Sequence, residues 1–121
     1  MELENKRTKG KAGEDLACKY LEACGYRIIE RNYQYGHGEI DIVAMDGNEL
    51  VFVEVKSRKS LEYGEPEFAF TRNKINQVRK IACAYLVERN FRDQVCRIDA
   101  VAILFQAEGK PKIKLYKNAQ K

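Results

Sequence analysis

The chain has 121 residues, 45% of them hydrophobic and 33% charged, with a formal net charge of +4 and a pI of about 8.9. These values fit one soluble globular domain with a single hydrophobic core, and the mild basic excess suits a polyanionic partner without requiring one. The N-terminal stretch MELENKRTKGK is polar, and no apolar run approaches the ~18 residues that a membrane span needs, so a cytoplasmic protein without membrane contact is expected. The four cysteines, Cys18, Cys24, Cys83 and Cys96, form no CxxC pair and lie far in sequence from the single histidine, His37. That spacing argues against zinc and for reduced thiols that pack as small hydrophobes.

Residues 1–10 are mostly charged and read as a segment open to disorder. Residues 11–24 carry Ala12, Leu16, Tyr20 and Ala23 at helical spacing, flanked by Ala17, Leu21 and Cys24, with Gly25 as the stop. Residues 26–31 predict a short strand, and 39–45 and 49–57 two longer strands joined by a tight turn. A loop without clean period follows. Residues 71–89 regain helical spacing through Ile75, Val78, Ile81, Ala82, Tyr85 and Leu86. Residues 96–105 predict a buried strand and 112–116 an edge strand. The order α-β-β-β-α-β-β implies a single-domain α/β fold, a central mixed β-sheet flanked by α-helices.

Chemistry concentrates in the segment 38–56, GEIDIVAMDGNELVFVEVK. On the second strand Leu50, Phe52, Glu54 and Lys56 share one face, and Val51, Val53 and Val55 share the other. Both faces begin apolar, so the strand is expected to be covered on both sides, and Glu54 and Lys56 extend an apolar face. Burying such charges is costly unless each has a partner. Two turns can close the hairpin. An Asp46-Gly47 turn puts Asp41 opposite Phe52, and a Gly47-Asn48 turn puts Asp41 directly opposite Glu54. Glycine in the first position favours the second, of type II′. In either register Asp41 and Glu54 are expected on the same side of the sheet, about 5 Å apart if directly opposed or about 7–8 Å on the diagonal. Carboxylates that close repel unless a cation or proton lies between them. Mg²⁺ suits such a pair, completing its shell with water and phosphate oxygens. Lys56 beside it would orient a water or stabilise negative charge, so the set suits phosphodiester hydrolysis.

Asp41, the short turn and Glu54-Val55-Lys56 together resemble the PD-(D/E)xK nuclease superfamily, with Ile40 where the motif's proline would stand. A resemblance over nearly the whole chain is to the YraN-like family of small bacterial predicted endonucleases. It rests on Gly10-x-x-Gly13-Glu14, Gly25-Tyr26, Arg31-Asn32, Gly38-Glu39-Ile40-Asp41, Phe52 to Arg58 and Arg97-Ile98-Asp99. The resemblance implies a restriction-endonuclease-like fold, similar to archaeal Holliday junction resolvases. It implies a Mg²⁺-dependent cut, with Mn²⁺ as an alternative ion, in DNA that is branched or structured. It also implies that Glu14, on the first helix, completes a metal shell formed by Asp41 and Glu54. A nucleic-acid-binding module with an unused site is the alternative. A homodimer would suit a cut in two strands, though no interface is legible.

Other charged residues are weaker candidates. Arg58 and Lys59 follow the motif and suit phosphate contact. Arg72, Lys74, Arg79 and Lys80 form a basic run on the second helix, with Arg72 and Arg79 on one face and Lys74 the preferred substrate contact. His37 reads as incidental to its glycine-rich turn. Glu39, one strand step from Asp41, would either assist the metal or pair with a base. Arg97 and Asp99 read as a structural ion pair. Tyr26, Tyr33, Tyr35 and Tyr63 read as packing residues more than base-stacking ones.

Overall fold

Alternating apolar residues on the central strands demand cover on two faces, and the two helices supply it. The computed structural model describes residues 2–62 and 64–120, with side chains from residue 10 onward; Tyr63 therefore lies outside the described residues. The elements are α1 (Glu2–Ala23), β1 (Arg27–Tyr35), β2 (Gly38–Asp46), β3 (Glu49–Arg58), a 3-10 helix over Pro66–Ala69, α2 (Arg72–Glu88), β4 (Cys96–Leu104) and β5 (Lys112–Tyr116). The sheet order is β1-β2-β3-β4-β5, antiparallel except for the β3–β4 pair, which is parallel. A parallel pair needs a crossover, and α2 lies within it. The result is a small α/β domain with a five-stranded mixed sheet and two helices, an architecture consistent with a restriction-endonuclease-like fold.

One layer of core packs α1 through Ala17 and Leu21 against Ile42, Ala44, Val51, Val53, Val101 and Ile103. The other packs Ile75, Val78, Ile81 and Tyr85 of α2 against Ile40, Val43, Leu50, Phe52 and Ile98. β3 is thus covered on both faces, as its two apolar sides predict.

Local chemistry fixes the helix ends. The Gly25 N–H donates to the Glu22 carbonyl, and the Tyr26 N–H donates to that of Leu21. Gly25 sits at φ +95°, so α1 ends in a Schellman turn that requires glycine. The Thr71 hydroxyl accepts the Lys74 N–H and caps α2, and Asn90 at φ +57° ends it. α1 begins at Glu2, well before the expected residue 11. Its buried stripe is Gly13, Ala17 and Leu21, whereas Ala12, Ala23 and Cys24 are exposed. The flank of the expected stripe is therefore its centre, because α1 turns its small residues toward the sheet. Cys83 is exposed too, so of the four free thiols Cys18 alone is buried. β1 runs on to Tyr35, four residues past its expected end, because Tyr33–Tyr35 pair with β2.

Candidate metal centre

The β2–β3 hairpin closes through Gly47-Asn48: Asp46 pairs with Glu49, and the register continues to Ile42 opposite Val53. Gly47 has φ +63° and Asn48 does not share the positive φ, as a type II′ turn requires. Continued one step further, this register would set Asp41 opposite Glu54. The ladder stops at Ile42 instead, and the strands part. β2 goes on beside β1 to Gly38, and β3 goes on beside β4 to Arg58. The Val55 N–H, left without a strand partner on that side, donates to Asp41 Oδ2 at 2.7 Å.

The strands also change face at this point. Val43 and Ile40 both pack on the α2 side, although three residues apart in a strand they would point oppositely. On β1 the position facing Asp41 is Asn32, at φ +55°. Arg31, just before it, pairs with Glu14 and Asp15 of α1, whereas Tyr33, just after it, packs edge-on against Tyr85 of α2. Both strands kink together, and Asp41 stands in the fork. The expectation that Asp41 and Glu54 project from one side is corrected by this kink: Asp41 occupies the split between the two faces.

From the fork Asp41 reaches acids on both sides of the sheet. On the α1 side one carboxylate oxygen each from Glu14, Glu39 and Asp41 lie within 4.8 Å of one another. On the α2 side Glu54, 7% exposed, presses its charge on Asp41. Burial first, and then the Glu54 charge, push the Asp41 carboxyl up to about 9. Burial likewise raises Glu54, opposed chiefly by the ammonium of Lys74. Lys74 Nζ lies 3.5 Å from Glu54 Oε1, and Glu54 Oε2 is buried with no hydrogen-bond partner among the described residues. Arg31 holds Glu14 at 3.2 Å and Asp15 at 2.8 Å.

A glycine makes the helix contact possible. A Cβ on Gly13 would stand 3.0 Å from Ser57 Oγ, so glycine lets α1 close on β3 and bring Glu14 to the fork. At Gly38 a Cβ would collide with Ile81 Cδ1, so glycine there lets α2 close on the start of β2. The donor set is all oxygen and acidic, and it includes the buried carboxylate of Glu54. That set fits a hard divalent cation such as Mg²⁺ and does not suit a soft one.

The structure brings together Asp41, Glu54, Glu14 and Glu39 and adds Lys74 as the cation on Glu54. Lys56 shares the Glu54 face of the regular β3–β4 ladder but is exposed, with no ion pair among the described residues. Arg58 is half-buried, and its Nε has no partner among the described residues. Arg72 and Arg79 are exposed and line one cavity of about 400 Å³ with Phe70 and Asn76. His37 is exposed in the two-residue β1–β2 turn. Arg97 Nε donates to Asp99 Oδ1 at 3.0 Å, and Tyr26 Oη donates to Asp99 Oδ2 at 2.7 Å, a buried structural set as expected. Arg31 was not legible as a site residue; its signal lay in Arg31-Asn32, where an asparagine tolerant of positive φ follows an arginine.

This constellation of acids in the fork of a mixed sheet defines a class: a small α/β protein with a candidate cation-binding centre. Residues 13–103 match the uncharacterised protein family UPF0102, and the chain belongs to that family. A UPF0102 protein of Syntrophus aciditrophicus (strain SB) is 47% identical over 96% of this chain and 90% of its own length. One of Geobacter sulfurreducens is 46% identical over 91% of this chain and 86% of its own, and one of Symbiobacterium thermophilum is 42% identical over 93% and 96%. Among the described residues no helix is long and apolar enough to cross a membrane.

Proposed function

We propose that the chain is a Mg²⁺-dependent endonuclease of the PD-(D/E)xK type, YraN-like, that hydrolyses phosphodiester bonds of DNA in the cytoplasm. Branched or structured DNA is the substrate class to try first, Mn²⁺ is the alternative ion, and a homodimer would set two sites on two strands. One observation carries the reading: Asp41 joins Glu14 and Glu39 within 4.8 Å and lies against the buried carboxylate of Glu54. Four acids so placed are costly unless a cation or a proton resolves them, and the metal would take the place of the proton.

Asp41 and Glu54 would hold the ion, with Glu14 completing its shell and Glu39 beside it. When bound, the metal polarises a phosphoryl oxygen and lowers the pKa of a bound water. Lys56, exposed two residues beyond Glu54, would orient the attacking water or meet negative charge developing on the phosphate. Arg58, Arg72, Arg79 and Lys74 would hold the backbone on either side.

Incubation of duplex, single-stranded and four-way DNA with Mg²⁺ or Mn²⁺ tests the reading. Cleavage by the wild type and its loss, by about a hundredfold or more, in Glu54→Ala and Lys56→Ala is the expected outcome. A specific observation favours a second reading. Lys74 already neutralises Glu54 at 3.5 Å, as it would in a nucleic-acid-binding module whose site is unused. Binding without cleavage, unchanged in Lys56→Ala, would support that module.

A further inference from the structure

Glu54 is 7% exposed on β3, and among the described residues the one cation within 4 Å of it is Lys74. A buried carboxylate needs a counter-charge. The one it has is loose: Nζ to Oε1 is 3.5 Å, longer than a good hydrogen bond, and the Lys74 side chain is 41% exposed. Lysine places a compact charge on a flexible four-carbon stem, so it can leave without disturbing α2.

Where it would go is set by the helix. Lys74 belongs to the first turn of α2, which contains no acid and follows the N-cap Thr71. Arg72 and Asn73, its neighbours in that turn, are exposed. The helix end and Arg72 repel a cation and attract a phosphate. On the other side of Glu54 lie Asp41 and, beyond it, Glu14 and Glu39. A divalent ion among those acids and the Lys74 ammonium are like charges competing for one carboxylate.

We propose that Lys74 is an exchangeable counter-ion: it neutralises Glu54 while no metal is bound, and moves to a phosphate of the nucleic acid once a divalent cation takes Glu54. The proposal rests on the metal-dependent reading above and deepens it. The basic residue of α2 then links the two ligands, so that the phosphate contact forms when the metal does.

Two measurements on the full chain test it. The first is calorimetric titration of Mn²⁺, without nucleic acid, into wild type, Lys74→Met and Lys74→Arg. Lys74→Met should bind the ion on the order of fivefold tighter or more, the low end of ordinary coupling between ligands of one site. Lys74→Arg should stay near wild type. The second is the salt dependence of binding to a short labelled DNA duplex, with Ca²⁺ and with no divalent ion. With Ca²⁺, the slope of log affinity against log salt should be shallower in Lys74→Met than in wild type by roughly 0.9, one phosphate contact. Without the ion the two slopes should coincide. Equal Mn²⁺ affinity in wild type and Lys74→Met, or a slope difference that is the same with and without ion, would overturn the exchange alone. Absence of Mn²⁺ binding to the wild type itself would overturn the metal-dependent reading.

Discussion

Asp41 sits where its charge is poorly stabilised. Its carboxylate is half-buried, keeps one hydrogen bond from the Val55 N–H, and faces Glu54 and Glu14. Its folded pKa, about 9, lies above the unfolded value of 3.8. The protonated form is therefore the one favoured by folding. The stability it contributes is fully present below about pH 4 and is lost as pH rises toward 9. Glu54, raised by its burial, acts in the same direction. Metal-free protein should accordingly unfold at lower urea at pH 9 than at pH 5, and Asp41→Asn should flatten that difference. Near pH 8 Asp41→Asn, which can keep the acceptor for the Val55 N–H, should stabilise the metal-free chain by roughly 1 kcal/mol, a melting shift of about 3–6 °C. The paired acids were legible because Glu54 interrupts an apolar strand face and Asp41 lies across a short turn. The fourth acid was half legible: Glu39 stands one step from Asp41, but nothing in its spacing separates a ligand from a surface charge.

At the scale of elements, the fork depends on two local departures. Asn32 holds φ +55° opposite Asp41, and Gly13 brings α1 onto Ser57. Asn32→Gly should be tolerated. Asn32→Val, a β-branched residue in the left-handed region, should cost roughly 1–3 kcal/mol and weaken divalent-ion binding with it. Gly13→Val should cost about 1–3 kcal/mol through overpacking against β3 and should lower ion affinity by moving Glu14; denaturant midpoints and ion titrations read the two effects separately. The strands, the type II′ turn and the α2 stripe were legible from period and turn chemistry, down to Gly47-Asn48. The kink was not. Residues 27–35 contain no glycine or proline to mark it, and strict alternation predicted that Asp41 and Glu54 would share a face. The stripe of α1 was misplaced by one flank because Ala12, Ala17 and Ala23 weigh alike by hydropathy, and packing alone selects Ala17.

The whole molecule is tied at the end of the sheet away from the fork by Arg97. Its guanidinium reaches Asp46 and Glu49 at the hairpin turn, Tyr26 at the end of α1, and Asp99 beside it on β4. Asp99, fully buried, also accepts the Asn118 N–H. Arg97→Ala would leave that carboxylate without its cation and should destabilise the fold by about 3–5 kcal/mol in a denaturant melt. The structural role of Arg97-Asp99 was legible in an acid and a base alternating onto one face of an apolar strand. Glu14 was not legible from the residues alone. Its meeting with Asp41 joins a helix to a hairpin about 27 residues on, a long-range contact that no local period encodes; it came from resemblance. The central claim is that the carboxylates around Asp41 form one cation site. Its most direct test is calorimetric titration of Mg²⁺ or Mn²⁺ into wild-type protein and into Asp41→Asn at neutral pH. Saturable binding with proton release by the wild type, lost in Asp41→Asn, is the predicted result; equal binding by both proteins, or none by either, would contradict it.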